Sequence, residues 1–212
     1  KNQNHQVPRA QKTSMLPHSR QHPYEAQLDA LESIFCVDIL TQAVGASPPS
    51  STTELRLLIE DYHTKVLETI ELPAIVRAHH EATHGRGLEL IELDQLFAGR
   101  HPEWLLLTPA STRIGHDYLN RLRPLKDERI VQKLIEAVHL GHTPGYHLTV
   151  FGLTMAVFSI APRKGLADYA QAALEAVVAT ASGRFNLTQL ERKALLAPSR
   201  ATLPKAISRM VA

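Results

Sequence analysis

The sequence holds a single cysteine, Cys36, in 212 residues, which excludes an internal disulfide and any zinc or iron–sulfur site built on several thiolates. Aromatic residues make up only 5%, and no period-2 alternation of apolar and polar residues runs through the chain. Sandwiches and barrels, which draw on aromatic and β-branched side chains, are therefore not expected. The longest apolar run, Leu148 to Ile160, is broken by Thr149, Gly152, Thr154 and Ser159 and falls short of the roughly 20 residues a membrane-spanning helix needs. No G-x-x-x-x-G-K-[ST], G-x-G-x-x-G or G-x-S-x-G occurs, so phosphate cradling and serine-hydrolase chemistry lack their usual scaffolds.

Charge is unevenly placed. Residues 1–23 hold four Lys/Arg and no acid, and residues 184–212 hold six against one, which leaves −7 on the stretch between them for an overall +2. Basic ends on an acidic body favour electrostatic contact with protein partners over a nucleic-acid groove, which would need clustered Lys/Arg with aromatics between them. Residues 1–22 are expected to be a disordered basic tail, and residues 23–212 one all-helical domain. With one cysteine and no membrane span, a cytoplasmic setting is expected.

From Pro23 onward, apolar residues recur at helical spacing. Tyr24, Leu28, Leu31 and Phe35 fall on one stripe, with Cys36 expected in the core beside them. Thr53 is positioned to cap a helix burying Leu55, Leu58, Ile59, Tyr62, Val66 and Ile70, and Pro73 should kink or restart it. Further helices are expected over 88–98 (burying Leu90, Leu93, Leu96 and Phe97), from Ser111 to Pro124, and over 126–139. Residues 146–158 are apolar nearly all round and read as the helix at the centre of a bundle, with Gly152 where a neighbour comes close. A long helix from Pro162 should stop at Gly183, Thr188 and Glu191 form a T-x-x-E capping box, and a final short helix starts near Ala201. The fold class is all-α, a single bundle of about eight or nine short helices.

Two histidine patterns invite chemistry. His80-Glu81-Ala82-Thr83-His84 is an H-E-x-x-H whose histidines, one helical turn apart, have the spacing to clasp zinc while Glu81 activates water. By composition only about 0.05 such matches arise by accident. However, Leu90 stands where the extended zinc-protease motif needs a third histidine, and no strand pattern precedes the helix. Protonatable histidines at a helix C-terminus also suit the helix dipole. The second pattern, His139, His142 and His147 around Gly141, Pro144 and Gly145, reads either as imidazoles gathered on a metal or as residues lining a polar turn. No metal, cofactor or catalytic residue is assigned.

Beyond composition, the order of features from Glu54 to Ala212 resembles the UreF family of urease accessory proteins. The resemblance is carried by Leu72-Pro73-Ala74, by Leu93-Asp94-Gln95-Leu96, by Ala110-Ser111 with Gly115, and by His147 with Val150-Phe151-Gly152. Ile160, Tyr169, the stretch from Val177 to Leu187 and Leu195-Leu196 follow in the same order. The family's opening P-x-G-x-x-x-H-S-x-G-L-E is absent, with only Leu16-Pro17-His18-Ser19 or the stretch from His22 to Leu28 as an echo. Thr108 replaces a usual arginine, Thr149 a proline, and Gln171 a second aromatic.

The resemblance implies a helical, nonenzymatic chaperone: a homodimer that binds a UreD/UreH-type accessory protein, recruits the nickel-carrying UreG-type GTPase and assists nickel insertion into apo-urease. Partner contacts are then expected at Ser111, Gly115, His147 and Tyr169, and at the basic C-terminal residues Arg192, Lys193 and Arg209. Two alternatives stand beside this reading, a helical interaction domain of unrelated function and a zinc metallopeptidase using residues 80–84.

Overall fold

The computed structural model describes residues 21–212, so the expected tail lies, but for its last two residues, outside them. Every regular element among the described residues is helical. They are α1 (Pro23–Asp29), α2 (Val37–Ala43), α3 (Thr52–Tyr62), α4 (Leu72–Thr83), α5 (Gly87–Arg100), α6 (Thr108–Leu122), α7 (Arg129–His139), α8 (His147–Val157), α9 (Pro162–Phe185) and α10 (Gln189–Met210). Short 3₁₀ turns cover Ala30–Ser33 and Pro102–Leu107. Because α3 and α4 are joined by a π-helical segment, His63–Glu71, they form one continuous rod. The expected all-α bundle is observed.

At the centre lies α8, packed mainly against α4 and α6, with nine of its eleven residues buried. An all-round apolar helix must be covered on every side, and Gly152 is what lets α4 come close enough. A Cβ there would lie 2.6 Å from Ala78 Cβ and 2.8 Å from both His79 N and Ile75 O. Around this centre, α9 packs on α10 and on α4, burying Leu166, Ala170, Ala173, Leu174 and Val177.

Several local expectations are corrected. The stripe from Tyr24 to Phe35 is not one helix: it breaks into α1 and a 3₁₀ turn, and Cys36 is exposed in extended backbone rather than buried. Ser51, not Thr53, caps α3 by accepting from Glu54 N at 3.2 Å. Leu96 is exposed while Leu90, Leu93 and Phe97 are buried. Ser111 does not open α6 but sits inside it, one turn after Thr108. Gly183 does not stop α9, which runs through it to Phe185 and ends where Asn186 adopts a left-handed conformation at φ 50°, a region Asn tolerates.

The capping box is present, with Thr188 Oγ1 accepting from Glu191 N and Glu191 reaching back to Thr188 N. From it α10 runs unbroken for 22 residues through Pro198 and Pro204, where a short final helix was expected. Each proline removes a donor to the carbonyl four residues earlier. Those carbonyls belong to Ala194, which is exposed, and Arg200, which is partly so.

Candidate functional site

The residues singled out in the sequence fall into two groups in space. Ser111, Gly115, His147 and Tyr169 are buried, the polar three at 0% exposure, while Arg192, Lys193 and Arg209 are exposed on α10. Of the residues expected at partner contacts, the first four are thus enclosed in the fold and only the three on α10 are at its surface. The Tyr169 side chain points into the core, and the four buried residues present no surface to a partner in this bundle.

What the fold does with the buried four is to bring them together. His147, the first residue of α8, bridges α6 and α9: its Nδ1 lies 2.7 Å from Ser111 Oγ and its Nε2 2.9 Å from the Tyr169 hydroxyl. Tyr169 donates its one hydroxyl hydrogen to Glu71 Oε2 at 3.3 Å, and Tyr62 donates to the same oxygen at 2.8 Å. The directions follow from the donor inventory. Since Tyr169 gives its hydrogen to Glu71, its oxygen accepts from His147 Nε2–H. The Nδ1 lone pair then accepts from Ser111, whose own oxygen accepts from His147 N at 3.3 Å.

Burial sets the charge states. With no water to solvate an imidazolium, the His147 pKa is pushed down to about 3, so the ring stays neutral. Burial likewise raises Glu71 to about 8, against the pull of the two tyrosine hydroxyls, so this carboxyl is a neutral acid at pH 7. Its Oε1 has no partner. The indole of Trp104 stacks on His147 with ring centroids 5.9 Å apart and closes the cluster.

A second buried acid was missed as a functional position in the sequence reading. Asp94 of the L-D-x-L segment accepts from Thr143 Oγ1 at 2.6 Å, Gly145 N at 2.6 Å and Tyr146 N at 2.9 Å. It thereby pins the turn that leads into His147. Burial raises its pKa while these donors pull it down. Gly115 completes the join: a Cβ on it would sit 1.9 Å from Gly145 O, so only glycine lets this turn lie on α6. The signal for Asp94 was its place inside an apolar helix face. Glu71 carried no such signal.

The histidine patterns resolve separately. The rings of His80 and His84 lie tilted by 39° with centroids 4.3 Å apart, His84 Nδ1 meets His80 O at 2.8 Å, and Glu81 contacts Arg86 and His80. His139 and His142 are exposed, whereas His147 is enclosed in the core, so these three do not converge. Among the described residues no group of three His, Cys, Asp or Glu is placed to hold a metal ion.

On the surface, Arg192 and Lys193 line a cleft with Glu32 and Glu175, while Arg209 lines another beside His63 and Glu68. Seventeen residues apart on one helix, at about 100° each, Arg192 and Arg209 point in directions about 100° apart. They do not form one patch. No helix is long and apolar enough to cross a membrane among the described residues.

Comparison with known proteins adds one match. The family model described as UreF matches residues 50–198, a span from just before α3 into α10 that contains both buried clusters. No curated protein and no solved structure matches the chain.

Proposed function

The chain belongs to the UreF family of urease accessory proteins, and from that membership we propose that it acts as a nonenzymatic scaffold. It binds a UreD/UreH-type accessory protein, recruits the nickel-carrying UreG-type GTPase and assists nickel insertion into apo-urease. It works in the cytoplasm as a homodimer. The observation that carries this reading is the family match over residues 50–198. Its support from the molecule is that the polar groups with shifted pKa values in the core are enclosed and serve packing, while the basic side chains of α10 face outward.

In this reading the bundle is a rigid support. Ser111, Gly115, His147 and Tyr169 act at a distance from partners by holding α6, α8 and α9 in one arrangement, as residues that position a surface. The exposed Arg192, Lys193 and Arg209 meet acidic partner surfaces directly, since exposed charge steers and orients association. Any effect on nucleotide hydrolysis is exerted on the GTPase as a coupling between binding events.

Co-purification with the three urease partners tests the proposal. Stable association with the accessory protein, and through it with the GTPase, is the expected result, weakened by Arg192→Glu with Lys193→Glu and Arg209→Glu. Failure to associate with any urease partner would overturn it. Association undiminished in the triple variant would remove α10 from the contact.

A further inference from the structure

The π-helical segment shapes a cleft of which the scaffold reading uses only Arg209. In an α-helix, residues five apart point about 140° from each other. A π-helix closes i→i+5 hydrogen bonds and turns only about 82° per residue, so residues four and five apart share a face. Through this register His63 and Glu68 meet, with Nε2 3.0 Å from Oε1. They stand on one wall of a cleft of about 540 Å³ whose other wall is α10.

The cleft has three unusual features together. At its base Ser199 is 2% exposed and its Oγ has no hydrogen-bond partner, while the buried His63 holds Glu68 at 3.0 Å. Buried polar groups are normally satisfied. Across the gap the walls carry opposite charge, Glu60 and Glu68 against Lys205 and Arg209. Yet no ion pair joins them: Glu60 pairs with Arg56 at 3.8 Å and Glu68 with His63, while Lys205 and Arg209 make no ion pair with any described residue.

We propose that this cleft binds a small zwitterion of the α-amino-acid class. The carboxylate lies toward Lys205 and Arg209 and accepts from the Ser199 hydroxyl, supplying the partner that hydroxyl lacks. The ammonium lies toward Glu68. A simple anion would gain the basic wall but face the acidic one, and a simple cation the reverse, so only a ligand with both charges uses both walls. The site shares only Arg209 with the urease reading; Glu68 and Lys205 belong to this site alone, so their variants separate the failure of one reading from that of the other.

The test follows the His63 ring signals by NMR in the full chain during titration with glycine, L-alanine and L-glutamate, with acetate and ethylammonium as single-charge controls at matched ionic strength. Saturable shifts with at least one amino acid, and at least ten-fold weaker response to both controls, are expected. Lys205→Glu with Arg209→Glu, and separately Glu68→Gln, should each weaken binding at least ten-fold, while Arg192→Glu with Lys193→Glu should not. Ser199→Ala should weaken binding without lowering Tm, since it removes a hydroxyl that has no partner in the free protein. No saturable shift with any of the three amino acids, equal binding of acetate, or full binding by the Lys205/Arg209 variant would overturn the proposal.

Discussion

Tyr62 donates a 2.8 Å hydrogen bond to Glu71, nine residues further along the same helical rod. In an α-helix nine residues amount to two and a half turns and would put the two side chains on opposite faces. Over the π-helical stretch between them the rotation is about two full turns, so both face the core. Leu72 N accordingly bonds to Leu67 O, five residues back. Pro73 follows immediately and supplies no N–H to the carbonyl at 69, where an α-helical ladder would need one. Of the two outcomes expected at Pro73, a kink or a restart, the restart is observed: the widened register ends at Glu71 and Pro73 sits in the first turn of α4.

Glu71 makes stability fall with rising pH. Its folded pKa, raised to about 8 from the ordinary 4.5, means that the native state holds a proton which the unfolded chain gives up. The contribution is fully present below about pH 4.5 and is lost as pH rises toward 8, by at most ~1.4 kcal/mol per unit. His147, lowered from 6.5 to about 3, acts oppositely: its contribution is present above pH 6.5 and lost as pH falls toward 3. The two offset one another between about 4.5 and 6.5. Urea melts of the protein and of Glu71→Gln at pH 5, 6.5 and 8 check this. The stability of the natural chain relative to the variant should decline across the series, and a constant difference would contradict the assignment.

Tyr169→Phe should cost about 1 to 3 kcal/mol. It removes the acceptor of His147 Nε2–H and one donor to Glu71 at a fully buried site, and an orphaned buried polar group carries its desolvation cost in full. Ser111→Ala should cost a similar amount by leaving Nδ1 and His147 N unmatched. Thermal unfolding checks both. The double variant should lose less than the sum of the singles, because both act through one imidazole.

Glycine substitutions should separate packing from helix propensity. Gly115→Ala and Gly152→Ala place a methyl against backbone atoms at 1.9 Å and 2.8 Å, and each should destabilise by about 3 kcal/mol, Gly115→Ala the more. Gly183→Ala, inside α9 with nothing within 4 Å, should instead stabilise by about 0.5 to 1 kcal/mol. Loss of stability in Gly183→Ala would show an unrecognised neighbour at that helix face.

Asp94→Ala should loosen the entry to α8. The amides of Gly145 and Tyr146 and the Thr143 hydroxyl lose their acceptor together, for a cost of about 3 kcal/mol or more. Hydrogen exchange should show faster exchange of the 145 and 146 amides than of those in the middle of α8. Uniform exchange across both would place the anchor elsewhere.

Much of the bundle was legible in the sequence because helix period, caps and small-residue approaches are local. The Thr188 capping box, the all-apolar α8 and the close approach at Gly152 needed only spacing and residue size. What depends on other parts of the chain was not legible. Ser111 meets His147 across 36 residues, and Tyr169 meets Glu71 across 98, so landmarks that read as partner contacts became an internal hydrogen-bond chain. The α-helical period assigns Glu71 to the face opposite Tyr62, and only the π register, with Tyr169 supplied by α9, turns it inward. Cys36, at core spacing in the sequence, was left exposed because the helix broke before it. The sequence by itself determined a helical bundle and its family; tertiary packing decided which polar residues face inward, since a local period assigns a residue to a face but not to a neighbour.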